Sequence, residues 1–183
     1  MAKWKKETLK LREGHGWMAK PGHQIFVADR GALRFDIPKE WVVIPGESSF
    51  RFHDRTPPED ECALEVTLMY LPPGVNWSAM PLASTLVEVV RGSYEEALGH
   101  GECVEVQRPD LELAWVESRY LDTVEMREAR ARTCIARRGN IQPLITMSYW
   151  PSDAERFIPV WDEIIRSMQL GVYVKDPTHR GFN

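Results

Sequence analysis

The sequence predicts an α+β fold, in which a mostly antiparallel sheet of about six to seven strands is covered by helices. Three observations predict it. Residues 111–120, 124–137 and 140–150 read as three successive strands. The links between them are only a few residues long, which permits hairpins and excludes parallel crossovers. An amphipathic helix follows, and strands broken by covering helices are typical of an α+β sandwich.

The earlier part of the chain shows further strand signals. Residues 24–38 read as two strands separated by the turn signal Asp29–Arg30–Gly31. Pro38 and Pro45 then bracket a short apolar segment that begins at Trp41. Because proline cannot donate to a sheet ladder, we expect this segment to form an edge strand or a bridging turn.

Alternation of apolar and polar residues predicts the next two strands. In the first, Phe50 and Phe52 share one face and Arg51 and His53 the other, as in a half-buried strand. Residues 61–71 repeat the pattern, with Glu65 and Thr67 expected to point outward. The residues expected to point inward are Leu64, Val66, Leu68 and Tyr70.

Helical spacing of apolar residues predicts a helix after Trp77. Ser78 is the expected N-cap, with Pro81 tolerated in the first turn. Gly99–His100–Gly101 is the expected end of this helix.

A second helix is predicted by a wider apolar stripe near the end of the chain. The stripe consists of Phe157, Trp161, Ile164, Ile165 and Met168. Ser152 and Glu155 have the spacing of a capping box. Pro159 removes a backbone hydrogen bond, so we expect the helix to bend there or to begin later than the box.

Length and composition favour one folded domain. The chain has 183 residues, 43% hydrophobic and 27% charged, which suffices for a real core. We expect a basic arm over residues 1–20 and a single domain over 21–183. The arm contains Lys5, Lys6, Lys10, Arg12 and Lys20. It is either a contact arm for an acidic partner or a solvated tail.

Charge and cysteine usage bear on partners and location. A net charge of −4 argues against electrostatic binding to nucleic acid. No apolar run follows the basic N-terminus, and no stretch approaches the roughly 20 apolar residues of a membrane span. Cys62, Cys103 and Cys134 are odd in number and scattered, which favours free thiols in a reducing compartment. These patterns predict a cytoplasmic protein.

The order of these elements resembles the fold family of the photosystem II protein PsbP and the yeast Ran-binding nuclear import factor. The resemblance rests on FDIPKEW at 35–41 and on LITMSYWPSDAERF at 144–157, continued by IIRSMQL at 164–170. It spans roughly residues 24–170. It implies a PsbP-like sandwich, and a role as a binding or assembly factor rather than an enzyme. Many bacterial members of this family have no assigned role.

Motifs for the commonest catalytic chemistries are absent from the sequence. There is no GxSxG nucleophile elbow, no GxGxxG or GxxxxGK[ST] phosphate loop, and no HExxH or paired CxxC metal motif. His15 and His23 lie in a glycine-rich stretch that is typical of solvated loops. His100 and Cys103 share a loop without a second pair of ligands. We therefore expect no metal and no cofactor, and catalysis stays undecided.

Residues 124–137 contain the polar element of most interest. Strand alternation places Arg130 and Arg132 on the same face, where their charges repel unless an anion lies opposite. Glu65 and Glu112 are the expected cross-strand partners. The pair is either a structural ion-pair ladder or a cradle for an anion or carboxylate, since arginine binds such groups bidentately.

The seven tryptophans are spread along the chain, which is typical of core anchors, although rings can also stack on ligands. From these features we expect a non-catalytic cytoplasmic binding or assembly module with a protein partner. The alternative is a small-molecule binder or an enzyme with a pocket between sheet and helix. That pocket would be lined by Trp41, Trp77, Arg130 and Arg132.

Overall fold

The computed structural model describes residues 16–94 and 96–173, which form two antiparallel sheets and two helices. In chain order the strands are β1 (His23–Ala28), β2 (Leu33–Pro38), β3 (Val42–Pro45), β4 (Ser49–His53), β5 (Cys62–Tyr70), β6 (Ala97–His100), β7 (Val104–Val106), β8 (Glu112–Asp122), β9 (Arg127–Arg137), β10 (Ile141–Tyr149) and β11 (Gln169–Leu170). The helices are α1 (Leu82–Arg91), between β5 and β6, and α2 (Ala154–Ser167), between β10 and β11.

The larger sheet has the strand order β3-β4-β5-β10-β9-β8-β6, and β7 pairs with β8 beside β6. The smaller sheet has the order β1-β2-β11. Every strand pairing among the described residues is antiparallel, including the β8–β9 and β9–β10 pairs, which are joined by short links. The predicted α+β class with a mostly antiparallel sheet is confirmed, and the first two predicted strands belong with β11 to the separate smaller sheet. The segment after Trp41 is the edge strand β3.

The two faces of the larger sheet are covered differently. On one face, α2 and the smaller sheet enclose the main core, in which Leu64, Met147 and Trp161 are fully buried. On the other face, α1 covers β8 and β9 and buries a smaller apolar cluster around Leu86 and Val116. Each fully buried apolar side chain contributes roughly 1.5–3 kcal/mol, so the α2 side contributes most of the apolar stabilisation.

Strand β2 is fixed to α2 by buried polar groups as well as by apolar contacts. The Arg34 guanidinium donates to the Asp36 carboxylate at 3.0 Å and to the Ser167 carbonyl at 3.2 Å. The Asp36 backbone N–H donates to Ser167 Oγ at 2.8 Å. Because each charge has a partner, burial of this pair between strand and helix is tolerated.

Helix α1 differs from its prediction at both ends. Ser78 lies inside a short 3-10 turn, and Pro81 occupies the N-cap position instead. The helix ends at Arg91, and the N–H of the C-cap residue Gly92 bonds back to the Val89 carbonyl. The predicted end at 99–101 was wrong: β6 forms there, since an edge of the larger sheet is available for pairing.

The predicted capping box of α2 was also wrong. Ser152 belongs to a 3-10 turn that precedes the helix, and its hydroxyl donates to the Asp153 carboxylate. The helix begins later, at Ala154, and continues through Pro159. The proline lies close enough to the helix start that only the hydrogen bond to the Glu155 carbonyl is lost.

The prediction for Tyr70 was wrong, and most of the predicted N-terminal arm lies outside the described residues. Tyr70 does not point into the core: it is 48% exposed at the end of β5, and its hydroxyl donates to the Asp29 carboxylate. Residues 1–15 of the predicted arm lie outside the described residues. Within the described part of the chain, no helix is long and apolar enough to cross a membrane.

Candidate functional site

The predicted arginine face exists, and one carboxylate organises it. Arg132 Nε donates to Glu117 Oε2 at 2.9 Å, and Arg130 Nη1 lies 3.5 Å from Glu117 Oε1. The Tyr149 hydroxyl donates to the same Oε2 at 2.7 Å. Glu117 lies directly opposite Arg132 in the β8–β9 pairing, which places both side chains on the α2 face. We call these four residues the arginine cluster.

The carboxylates expected to pair with this face are engaged elsewhere. Glu65 accepts a hydrogen bond from Ser49 and pairs with Arg51 on the opposite face of the sheet. Glu112 binds Arg137 at the other end of β9. Both glutamates pair with an arginine directly across from them on the neighbouring strand, as expected, but with Arg51 and Arg137 instead of Arg130 and Arg132. The register was what the sequence pattern left open.

The surroundings of Glu117 favour its ionised form. Burial alone raises the pKa of this carboxyl, but hydrogen bonds from Arg132 and Tyr149 and the charges of both arginines outweigh it. The pKa of Glu117 is therefore below its usual value. Burial and the hydrogen bond to Glu117 raise the pKa of Tyr149 to about 12, so its hydroxyl stays protonated as a donor.

The two arginines differ in how fully they are paired. The Arg132 side chain is 11% exposed and lies 2.9 Å from the Glu117 carboxylate, whereas the Arg130 side chain is 34% exposed and lies 3.5 Å from it. The buried Nε of Arg130 has no acceptor among the described residues. Arg119 lies directly opposite Arg130, so two like charges face each other across the strands. Of the two arginine side chains, that of Arg130 is therefore the more accessible to an added anion.

An open cleft of about 440 Å³ lies beside the arginine cluster, between β7–β8 and α2. We call it the tryptophan cleft, and its lining residues are Val106, Arg108, Trp115, Trp161, Asp162, Ile165 and Arg166. The rings of Trp115 and Trp161 meet edge to face, with centroids 6.0 Å apart. Trp161 is fully buried, and its indole N–H has no partner in the described structure. The cleft thus combines an aromatic floor with charged walls.

Arg132 joins the cleft to the arginine cluster. Its guanidinium carbon lies 4.8 Å from the centroid of the Trp115 ring, a cation–π distance. Its Nη1 lies 3.8 Å from the Asp162 carboxylate, whose side chain is 66% exposed on the cleft wall. The two features therefore form one continuous surface.

The remaining charges of the cleft hold its shape. Arg108 donates to the carbonyls of Ile165 and Met168 at 3.0 and 2.8 Å, which caps the C-terminal end of α2. The hydrogen bond from Arg108 holds the pKa of Asp110 below its usual value. At the opposite rim, Arg166 pairs with Glu163 one turn earlier in α2.

The structure does not bring Trp41 and Trp77 to this surface. Trp41 is 6% exposed and packs edge to face on Phe157 in the main core. The Trp77 indole N–H donates to the Pro72 carbonyl, just beyond the end of β5. That end of the sheet is separated from Arg130 by the length of β10, about 27 Å.

The histidines and cysteines form no joint site in the described residues. No group of three or more metal-ligating side chains occurs among them. Burial raises the pKa of Cys134 and of the partly buried Cys103, which disfavours the reactive thiolate. His100 contacts the Gly101 carbonyl instead of Cys103.

The sequence pattern missed Glu117, Trp115 and Asp162. A signal for the first two existed, because alternation along 111–120 places Trp115 and Glu117 on one face. Asp162 lies one residue beyond Trp161, at the edge of the apolar stripe of α2. No sequence signal shows which strand residues that edge meets.

Comparisons with known proteins assign the family. The model of the Alr1449 family matches residues 24–174. The chain belongs to the Alr1449 family. The uncharacterized protein alr1449 from Nostoc sp. is 46% identical over 176 residues, which cover 96% of this chain and 91% of the relative.

Two solved structures share the fold. Cyanobacterial PsbP (CyanoP) from Synechocystis matches with a TM-score of 0.62 and 15% identity, over 88% of this chain and 98% of that one. The protein PA94 from Pseudomonas aeruginosa matches with a TM-score of 0.50 and 14% identity, over 85% and 99%. These likenesses confirm the PsbP-like fold and extend no further at such low identity. The resemblance to the Ran-binding import factor stays a prediction.

Proposed function

We propose that the chain is a non-catalytic binding module that contacts a protein partner through the tryptophan cleft. The observation that carries this proposal is the lining of the open cleft, where the partly exposed Trp115 ring packs on the buried Trp161 ring and lies beside arginine side chains. Tryptophan and arginine are enriched among residues that dominate binding energy at protein interfaces. The PsbP-like fold, which the sequence resemblance associates with binding and assembly factors, supports the same role.

The arginine cluster supplies the polar rim of the proposed interface. The Arg130 side chain is 34% exposed and lies 3.5 Å from Glu117, so an acidic side chain of the partner would bind the accessible part of its guanidinium. Arg132 is already bound to Glu117 and stacks on Trp115, so its role is to hold the cleft wall in place. Trp41 and Trp77 are not part of the proposed interface, because neither reaches this surface.

The partner must also cover surface around the cleft. Specific interfaces bury about 800 Å² on each side, more than a short cleft supplies. The adjoining strand β7 offers Val104, which is 40% exposed on the edge of the larger sheet. An extended segment of the partner along this edge would continue the contact.

We place this function in a reducing compartment, with the cytoplasm as our expectation. All three cysteines are free, and Cys62 and Cys134 are buried on their own without a bridge. Free buried thiols are usual where disulfides do not form.

The test is capture from the native cell with the full chain and two matched variants. Val106→Glu puts a charge in the cleft, and Val75→Glu makes the same change at a residue outside the cleft lining that is 51% exposed. We expect a stoichiometric protein to co-purify with the wild type and with Val75→Glu, but not with Val106→Glu. Thermal unfolding of both variants checks that each is folded. Equal recovery with both variants would exclude the cleft as the binding surface.

A small ligand is the second candidate, because a volume of about 440 Å³ lies within the range of ligand sites. Native mass spectrometry of protein purified from its own cell distinguishes the two. A bound small molecule that disappears in Val106→Glu, with no protein captured, would favour this second function.

A further inference from the structure

We propose that residues 71–81, between β5 and α1, insert into the surface of a lipid bilayer and so bind the protein to a membrane. We call these residues the uncharged loop. Three observations support the proposal: an exposed loop without charge, a backbone that is largely paired within the chain, and a tip that stands away from the fold. The loop lies outside the lining of the tryptophan cleft, so this binding is independent of the proposed function.

The uncharged loop lies within a run of 22 residues, 66–87, that contains no Asp, Glu, Lys, Arg or His. At the chain's charged share of 27%, a run of this length would hold about six charged residues. The parts of the run in β5 and α1 pack on the two cores. Nine of the 11 loop residues are exposed, however, and exposed positions are where charged residues normally lie. Core packing therefore does not explain the missing charge of the loop.

The side chains that the loop exposes are of the kinds that favour a lipid interface. Val75 is 51% exposed and Met80 is 47% exposed, and the Trp77 ring is partly exposed. Tyr70, directly before the loop at the end of β5, is 48% exposed. Tryptophan and tyrosine concentrate at the boundary between headgroups and acyl chains, because their rings are apolar at one end and polar at the other. The loop and its base thus present aliphatic and aromatic side chains together.

The backbone of the uncharged loop is largely paired within the chain, which lowers the cost of leaving water. Its three prolines have no N–H. Four further residues donate their N–H to backbone carbonyls at 2.7 to 3.2 Å, and they are Leu71, Trp77, Ala79 and Met80. The indole N–H of Trp77 donates to the Pro72 carbonyl at 2.9 Å. Because an unpaired N–H is costly in lipid, this ring can enter the interface without losing its hydrogen bond.

The loop stands away from the rest of the fold on a fixed base. Gly74 lies in its first turn with φ of +82°, a conformation that favours glycine. A Cβ placed on Gly74 would have no described atom within 4 Å. At the base, the Leu71 N–H donates to the Asn140 carbonyl, and the Arg137 guanidinium donates to the Met80 carbonyl. A protruding tip of this kind can enter a bilayer while the sheet stays outside.

The turn between β8 and β9 shows that exposed apolar residues alone are not sufficient. Val124 and Met126 are 87% and 70% exposed there, more than Val75 and Met80. Glu125 lies between them, so its charge would have to enter the interface with them, at a high cost. This turn lies at the opposite end of β9 from the β9–β10 turn that bonds the uncharged loop, about 33 Å away. We do not expect it to bind lipid.

Lipid fits the uncharged loop better than a protein partner does. Protein interfaces have a polar rim and are enriched in arginine, whereas no residue of the loop can form an ion pair. Near the base, the exposed Arg30 and Arg138 are accompanied by Asp29, which accepts a hydrogen bond from Tyr70. Insertion should therefore depend on apolar contact more than on charge, and neutral lipid should suffice.

The first test measures sedimentation of the full chain with vesicles of phosphatidylcholine. We expect reversible binding of the wild type, as a single apolar anchor gives. The double variant Val75→Glu with Met80→Glu should lower the partition coefficient more than about tenfold, because two charges would have to enter the interface.

The matched control is the double variant Val124→Glu with Met126→Glu, which changes the same residue types at the distant turn. It should bind vesicles like the wild type, and thermal unfolding checks that both double variants are folded. Absence of wild-type binding, or an equal loss in the two double variants, would overturn the proposal.

Lipid with bromine on the acyl chains tests the depth of Trp77. Bromine quenches tryptophan fluorescence at short range, so the wild type should lose part of its emission on brominated phosphatidylcholine vesicles. Trp77→Phe should keep vesicle binding, while this quenching disappears. Quenching that persists in Trp77→Phe would place a different tryptophan in the bilayer and refute the assignment to this loop.

Salt and lipid charge separate insertion from electrostatic adsorption. We expect equal binding to phosphatidylcholine vesicles with and without phosphatidylglycerol. Binding should also persist in about 1 M salt, where the Debye length is about 3 Å. Binding that requires phosphatidylglycerol, or that salt abolishes, would contradict apolar insertion.

Single variants separate this proposal from the proposed function. Val106→Glu should lose the captured partner and keep vesicle binding, whereas Val75→Glu should keep the partner and weaken vesicle binding. Vesicle binding by the wild type without any captured protein would defeat the proposed function alone. A captured protein that is lost in Val75→Glu, without vesicle binding by the wild type, would show that the loop binds a protein and would overturn this proposal.

Discussion

The two faces of the larger sheet are built from the same strands but differ in the size of the core that they bury and in the surface that they present. On the α2 face, 24 buried apolar residues form the main core, and the tryptophan cleft and the arginine cluster lie at its border. On the α1 face, six buried apolar residues of the described part of the chain form a cluster, and Thr133, Thr146 and Ser148 continue the sheet surface beyond it. A deep core beside the cleft can hold its walls rigidly, which a surface used for recognition requires. The comparison teaches that the candidate site and the main source of stability share one face.

The largest expected effect tests whether the core on the α2 face contributes more to stability than the cluster on the α1 face. Trp161→Ala removes a fully buried ring from the α2 face, and we expect it to lower the free energy of unfolding by about 4 kcal/mol. Leu86→Ala on the α1 face should cost about 3 kcal/mol or less. Urea unfolding of both variants measures the difference. If the leucine change proves as costly as the tryptophan change, the faces contribute equally and the comparison fails.

The next effect concerns Glu117 at the border of the α2 face. Glu117→Gln leaves Arg130 and Arg132 without a shared anion, and we expect a loss of about 2 kcal/mol at pH 7. Glu65→Gln on the α1 face is the control, because its partner Arg51 is well exposed. That change should alter stability by less than about 0.5 kcal/mol. Chemical unfolding at pH 7 gives both values.

The stability of the protein at acidic pH should depend on the Glu117 carboxylate. The pKa of Glu117 in the folded chain is below its ordinary value of 4.5, so its contribution is complete above that pH. The contribution is lost as the pH falls through the folded pKa. We therefore expect the stability of the wild type to fall more steeply in acid than that of Glu117→Gln. Parallel curves over that range would show that Glu117 is not held in its ionised form by the cluster.

The smallest effect separates the two arginines. Arg132→Ala removes a hydrogen bond, a ring contact and much buried chain, and should cost about 2 kcal/mol. Arg130→Ala should cost about 1 kcal/mol or less, since its side chain is more exposed and faces Arg119. Thermal unfolding and partner capture are measured on the same samples. If both changes lower stability and neither alters capture, the pair is a structural ladder and not a binding rim.

The strand arrangement shows how far sequence patterns reach. Alternation placed Arg130 and Arg132 on one face, and the structure confirms that face. Their partner follows from the observed register of the hairpin, in which Asp122 pairs with Arg127 and each step back along β8 moves one step forward along β9. That register leads to Glu117 opposite Arg132. The sequence pattern does not locate the turn between β8 and β9 to within one residue, and a shift of the strand pairing by one residue would change every cross-strand partner.

The helix ends show where local signals mislead. Ser78 and Ser152 both have the residue types of caps, yet each lies in a 3-10 turn before its helix. The first helix stops at Arg91, and Ala97–His100, which the sequence places in the helix or at its end, pair with β8 instead, a tertiary contact that no local propensity encodes. Tertiary pairing overrides a weak local preference of a few tenths of a kcal/mol for each residue.

The sequence by itself determined the α+β class, the three-strand run and its covering helix, and the face shared by the two arginines. These follow from periodicity and from short links, which are local properties of the chain. Only the tertiary structure decided that Glu117 joins the arginines, that Trp115 and Trp161 form a cleft, and that Trp41 and Trp77 lie elsewhere. Those outcomes depend on strand register and on how helix α2 packs against the sheet, since residues distant in sequence meet only after folding.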